Sequence, residues 1–447
     1  MKSNMIRFVS VLLTLTLLLL CFVSCAGKGK TLLSIERDGK KATFSVNHYQ
    51  LLLSRLKGAF VSYGYTNESG AGADSDKFWA VQDTLDGKTL QTWDDYYRGQ
   101  VLNDCRTYTV ALWLFEKNGL KLTETAEDAI QQEMDDLIND FGNGSKTKLN
   151  AVLSEYGVNY DLLKSFYTVD AKVDALKLYL YGANASGLGN NVKDQYLNDH
   201  YLRFKQIFFA NYDYVYETDK NGDAIRFDKD TNLILYDAVN GYPKADESGK
   251  NETDKDGQTI YYTDKTYTHI CYDTVKGVRS VANDANGNPM TKPLSESALA
   301  ELDDYAEEVF DRVEHADEAT FESTLAEENE PSEFTDGYYL TRGANYSGLG
   351  NDLSYLSIIA TELERMEVGD VILLKSDNGY HIIRKYTPTS GAYDNEVNEV
   401  WFTGFADALI DEVFLNLCRE YFDSVVLDEK VFATVPPIRE IKANISF

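Results

Sequence analysis

Apolar positions recur along the chain with two different periods. Around the turn pair Asp38-Gly39 they alternate, which predicts two short strands within residues 32–44. Ser45 then stands where a helix cap belongs, ahead of Tyr49, Leu52, Leu56 and Phe60 at helical spacing. Residues 63–90 are rich in Gly and Asp and read mostly as loop. Thr92 caps a long helix whose inner face is Tyr97, Val101, Cys105, Tyr108, Leu112 and Phe115, with Lys117-Asn118-Gly119 as its stop. Further helices are expected at 125–141 (Ile130, Met134, Leu137 and Phe141 inward), 149–156 and 161–181, the last ended by Gly182. Residues 45–182 therefore predict a mainly helical domain.

The pattern then changes. A short helix at 192–202 runs into a strand-like stretch at 203–210. Between 212 and 292, turn clusters at 219–222, 254–257 and 283–288 separate runs rich in Tyr, Ile and Thr, which predicts β-hairpins. These acidic turns lack the spacing of a calcium-binding EF-hand loop. Helical spacing returns at 295–313 and 318–327, followed by a strand at 337–340, a helix at 353–366 and a strand pair at 371–374 and 380–386. Residues 395–425 read as one long amphipathic helix, and 435–447 as extended chain. The segment 182–190 is echoed at 343–351; without the Gly-x-Gly-x-x-Gly spacing in a strand-to-helix turn, both copies read as Gly-rich turns rather than phosphate loops.

Composition narrows the function. The 447 residues carry 43 Lys and Arg against 72 Asp and Glu, a formal charge of -29. Such a balance opposes binding to nucleic acid, whose affinity for proteins comes largely from cations on phosphates, and opposes docking on an anionic bilayer through a basic patch. With 43% hydrophobic residues, most of the chain is expected to fold. The chain contains neither His-Glu-x-x-His nor Gly-x-Ser-x-Gly, and its 5 His offer few bases. We expect no metal, nucleotide or other cofactor.

The N-terminus sets the address. Lys2 and Arg7 precede a 16-residue apolar stretch from Phe8 to Val23, shorter than the roughly 20 residues of a membrane span and suited to a signal-peptide core. It ends in Phe22-Val23-Ser24-Cys25, which resembles a bacterial lipobox with Phe in place of the usual Leu. The resemblance implies cleavage after residue 24, lipidation of Cys25 and a tether over 25–31. Only Cys105, Cys271 and Cys418 remain beyond it, too few and too scattered for a disulfide framework.

The segment 359–386, reading IIATELERMEVGDVILLKSDNGYHIIRKY, places a helix, a Val-Gly-Asp turn, a strand, a Ser-Asp-Asn-Gly turn and a strand with His381 in close succession. It resembles the C-terminal third of a parvulin-type peptidyl-prolyl isomerase domain. Residues 192–209 resemble the helix and first strand of that domain, and 321–329 with 336–340 resemble its middle helix and short strand. The order of signal, lipobox, helical domain, parvulin-like domain and closing helix is similar to that of PrsA-like and SurA-like extracytoplasmic foldases. The resemblance implies an α+β protein. A SurA-like helical domain at 32–191 would be completed by 391–447, and a parvulin-like domain at 192–390 would carry a hairpin insertion at about 212–294. It implies attachment to the outer face of the bacterial plasma membrane, with unfolded or partly folded exported polypeptides as partners.

By the same resemblance, the two core histidines of the family fall at Gln206 and His381, the Cys/Asp position at Glu330, and the apolar pocket positions at Tyr355 and Ile359. Gln206 and Ile359 depart from the family's His and aromatic residue. Rotation about an X-Pro bond faces a barrier of roughly 18–20 kcal/mol from amide resonance and requires neither nucleophile nor metal, only tighter binding of the twisted amide. Three readings stay open: a prolyl isomerase foldase, a catalytically inactive holdase, and a surface lipoprotein that captures a solute or carbohydrate through its Tyr-rich hairpins. The same residues also have plain roles open to them, His381 as a hydrogen-bonded core histidine and Tyr355 and Ile359 as core.

Overall fold

The structure, a computed structural model, describes residues 29–216, 226–227, 234–235, 242–246, 248–253, 259–262, 265–266, 270–271, 278–279, 281–329, 332–344, 346 and 355–447. Cys25 and Glu330, the signal segment and most of the second Gly-rich echo lie outside the described residues. The architecture is mixed α+β and divides into two units, one made of the chain up to Tyr201 together with Pro388–Phe447, the other of Leu202–Thr387.

The first unit starts with an antiparallel hairpin of β1 (Thr31–Arg37) and β2 (Lys40–Ser45), turned by Asp38 and Gly39, both with positive φ. The longer helices that follow are α1 (Val46–Ser62), α2 (Trp93–Lys117), α3 (Glu124–Asp140), α4 (Lys146–Glu155), α5 (Tyr160–Tyr181) and α6 (Asn190–His200). Ser45 and Thr92 accept from the backbone N–H groups of His48 and Asp95, satisfying donors that a helix start otherwise leaves open. Helix α2 is the centre of this unit and packs on the hairpin, on α1 and on α5. Its Trp113 is fully buried, as are Tyr49 of α1 and Trp79.

The second unit starts in β3 (Tyr201–Ala210). Short antiparallel ladders follow, among them Tyr212–Tyr214 with Thr291–Pro293, and Tyr261–Tyr262 between Tyr242–Pro243 and Ile270–Cys271. Helices α7 (Glu296–Val313) and α8 (Glu318–Glu328), strand β4 (Tyr338–Thr341), helix α9 (Tyr355–Leu363) and strands β5 (Val371–Ser376) and β6 (Gly379–Tyr386) complete it. The chain then rejoins the first unit through α10 (Phe405–Arg419) and β7 (Val426–Leu427), which pairs with β1. Helix α10 packs on α2 and α5, with Lys177 Nζ 2.5 Å from Asp411 Oδ1.

Three expectations need correcting, and a fourth, that 63–90 is mostly loop, holds with one addition. Residues 395–425 are not one helix: 3-10 turns at Glu396–Trp401 are cut off at Gly404, whose φ of 76° lies outside the helical region, before α10 begins. Phe141 does not face inward. It follows the last turn of α3, is 44% exposed and lies edge-on to Phe447 at 4.9 Å. The 63–90 stretch holds a one-turn helix, Asp76–Trp79, that inserts Phe78 and Trp79 beside Phe60. The closing segment is interrupted by a 3-10 turn at Ile438–Glu440.

Among the described residues, no helix is long and apolar enough to cross a membrane. Cys105 and Cys418 are free and buried.

Candidate functional site

The second unit is built on one four-stranded sheet in the order β4-β3-β6-β5, with β6 antiparallel to both β3 and β5. Alternation along a strand sends successive side chains to opposite faces. Ile207, Ile382 and Val371 cluster with Val309 and Val313 of α7 and Phe321 of α8 on one face. Leu202, Phe204 and Ile383 cluster with Leu356, Ile359 and Leu363 of α9 on the other. Every residue of β6 is buried, as suits the second position in from the sheet's edge.

His381 lies on the α9 side, two residues before Ile383. The register sets His381 opposite Phe208 and Ile383 opposite Gln206, which makes Gln206 the diagonal neighbour of the imidazole. Its Oε1 lies 2.9 Å from His381 Nδ1. The β5–β6 turn closes the other end of the ring, with Ser376 Oγ 2.9 Å and Asn378 Oδ1 3.2 Å from Nε2. Tyr355 stacks on the ring (centroids 5.0 Å apart, planes 17° apart), and Phe208 tilts against it at 4.8 Å.

Burial decides the charge state. His381 is 1% exposed, and desolvation pushes its pKa down to about 4. The ring is therefore neutral at pH 7, one nitrogen donating and the other accepting, and a serine hydroxyl can serve either tautomer. A base this weak does not deprotonate Ser376 near neutrality, so the cluster is suited to noncovalent positioning rather than acyl transfer.

Gly379, directly after the turn, has a φ of 146°, and a Cβ there would lie 2.1 Å from the carbonyl oxygen of Phe209. The Gly-Tyr-His run is thus tied to the β3–β6 pairing. On the other face Tyr380 bonds to Asp303 and Lys375. The buried Lys385 donates to the carbonyls of Leu363 (2.6 Å) and Met366 (2.7 Å) at the end of α9. That contact holds the helix bearing Tyr355 in place over the sheet.

Of the residues singled out from the sequence, the fold brings His381, Gln206 and Tyr355 together. Ile359 lies deeper, 1% exposed inside the cluster with Phe204 and Ile383. Further contributors were not singled out from the sequence: Phe208, Ser376 and Asn378, the last two read there only as turn residues, and Asn329. Asn329, at the end of α8, donates from Nδ2 to Phe208 O (3.1 Å) and accepts at Oδ1 from Phe208 N (3.2 Å), so its amide pairs with the backbone of β3 as a neighbouring strand would. A polar residue after a helix reads as a stop signal, and its spacing carries no trace of a partner 121 residues away. Among the described residues, no group of three or more His, Cys, Asp or Glu is placed to hold a metal ion.

No family model matches the chain, and no curated protein matches it. Solved structures similar to it include PrsA from Bacillus subtilis, at 13% identity and a TM-score of 0.18 over 81% of this chain and 94% of that one. Foldase protein PrsA from Streptococcus pneumoniae is 12% identical, with a TM-score of 0.19 over 77% and 95%. Foldase protein PrsA from Lactococcus lactis is 10% identical, with a TM-score of 0.20 over 91% and 97%. Likeness at these scores decides neither fold nor function, so the functional reading rests on the residues themselves.

Proposed function

We propose that the chain is a foldase of the extracytoplasmic face, lipid-anchored at Cys25, whose second unit is a parvulin-like domain acting on X-Pro segments of exported polypeptides. The observation that carries this reading is the neutral His381 ring, held by Gln206 at one nitrogen and stacked on Tyr355. It falls within the segment that resembles the isomerase family. In this reading His381 and Gln206 are positioning residues that stiffen the sheet under the substrate, and Tyr355 and Phe208 offer the aromatic surface for the proline ring. By the resemblance, Glu330 would stand for the family's Cys/Asp group. Catalysis would consist of binding the twisted amide more tightly than the planar one.

A second reading, a holdase with an inactive domain, is favoured by Ile359. This side chain fills the core and gives no wall to a proline slot, and Gln206 stands where the family has its second histidine.

The test is the rate of cis-trans isomerisation of a short X-Pro peptide with the mature chain and with His381→Ala and Tyr355→Ala. Acceleration by the wild type that both variants lose supports the isomerase. No acceleration, together with suppressed aggregation of an unfolded client, moves the reading to the holdase. Failure of both assays overturns the foldase reading.

A further inference from the structure

The first unit holds an open cleft of about 600 Å³ between α3 and α5, within the roughly 300–1,000 Å³ of ligand clefts. Facing helices normally fill the space between them with large apolar side chains. Here Ala126 and Ala129 of α3 face Ala171 and Ala175 of α5, at spacings that put each pair on one helix face. The small residues leave room, and Ile130 and the 58% exposed Leu178 add apolar wall.

The charge around this apolar floor is predominantly acidic. Helix α3 carries seven acidic residues and not one Lys or Arg, and Glu133 and Asp174 stand at the cleft itself. Of the three lysines of α5, Lys172 pairs with Glu116 at 3.2 Å, Lys177 pairs with Asp411 at 2.5 Å and also favours the Asp174 carboxylate, and Lys164 donates to Gln131 of α3. Lys121 is the single cation of the lining. An apolar slot with acidic edges complements a segment that alternates large apolar side chains with Lys or Arg. Acidic segments would meet like charge, which is how a surface rejects wrong partners.

We propose that the α3–α5 cleft is a docking site for basic, apolar segments of unfolded polypeptide, which settle apolar side chains on the alanine floor and cations on Glu133 and Asp174. The inference rests on the foldase reading and gives it a client class.

The test is fluorescence anisotropy of a labelled, unstructured Leu/Ser/Lys peptide with the full-length protein in detergent. Parallel titrations use the same peptide with Glu for Lys and with Ser for Leu. Two variants are added: Ala126→Phe, which fills the cleft, and Glu133→Lys, which reverses charge at an exposed position where folding is insensitive. We expect each altered peptide and each variant to bind about tenfold more weakly, about 1.4 kcal/mol, and rising salt to weaken the basic peptide. Equal binding by wild type and both variants, or equal affinity for the Lys and Glu peptides, overturns the proposal. If that occurs while the wild type still suppresses client aggregation, the foldase reading stands without this cleft. If the wild type neither binds the basic peptide nor suppresses aggregation, both fall.

Discussion

His381 shows how one buried ring ties folding to proton concentration. Its folded pKa of about 4 lies below the ordinary 6.5, so the unfolded chain binds a proton that the folded ring refuses. The stabilisation from this site is complete above about pH 6.5 and is lost as pH falls towards 4. A shift of this size is worth on the order of 3 kcal/mol. His381→Gln, which cannot titrate, is therefore expected to flatten the pH dependence of stability between these limits, as read from urea unfolding at several pH values. His48, 1% exposed and likewise pushed down to about 4 by burial, adds a slope of the same sign, whereas Asp104, pushed up to about 7 by burial, adds one of the opposite sign. At Gln206, replacement by Leu leaves Nδ1 without its partner. The expected cost is about 1–3 kcal/mol, measurable as a lower unfolding midpoint.

The histidine and its glutamine partner were legible in the sequence because a recognisable run fixed the position of each. The clasp around them was not. Ser376 and Asn378 act through a turn whose closure depends on the Gly379 backbone, and Asn329 acts through a pairing that no periodicity encodes.

Among the elements, the closing segment 435–447 and helix α1 depend on each other. Lys57 is buried, 6% exposed, and donates from Nζ to the carbonyls of Arg439 (2.9 Å) and Ile441 (2.8 Å). Ser54 Oγ donates to Lys442 O at 2.7 Å, and Asn444 N donates back to Ser54 O at 2.9 Å. Gly58 makes the approach possible: a Cβ there would lie 1.9 Å from Asn444 O. Gly58→Ala is accordingly expected to displace the segment, and Lys57→Met to remove the lysine partner of two carbonyls at about 1–3 kcal/mol in all. Both are expected to lower the thermal midpoint of the first unit and to expose the C-terminus to carboxypeptidase; unchanged digestion rates would refute the account.

Helix faces and caps at this scale followed from spacing, with Ser45 and Thr92 the clearest cases. The break at Gly404 was hidden because the apolar residues on either side of it keep a helical period even where the backbone does not. The burial of Phe78 and Trp79 was hidden for the opposite reason: one helical turn is too short for any period to show among Gly and Asp.

For the molecule as a whole, the second unit is one uninterrupted stretch, Leu202–Thr387, while the first is assembled from both ends of the chain. The stretch begins and ends on neighbouring antiparallel strands, with Arg203 opposite Tyr386, so its two ends are about 5 Å apart. Residues 202–387 are therefore expected to fold as a separate fragment, and the remainder to fold when a short Gly-Ser linker replaces them. Circular dichroism and a cooperative melt of each product check this; a non-cooperative melt of either shows that the units need one another. The α+β division was visible in the change from helical to alternating period near residue 203. The closure of the first unit by the returning chain was visible only through resemblance, because contacts between distant segments leave no local pattern.

The placement of these two ends also sets how the domain answers a mechanical load. Tension applied through the flanking chain would act across the β3–β6 ladder at its open end and break the hydrogen bonds one after another, as a zipper opens, rather than all together in shear. Such a domain should yield at low force and re-form from the same edge once the load is released.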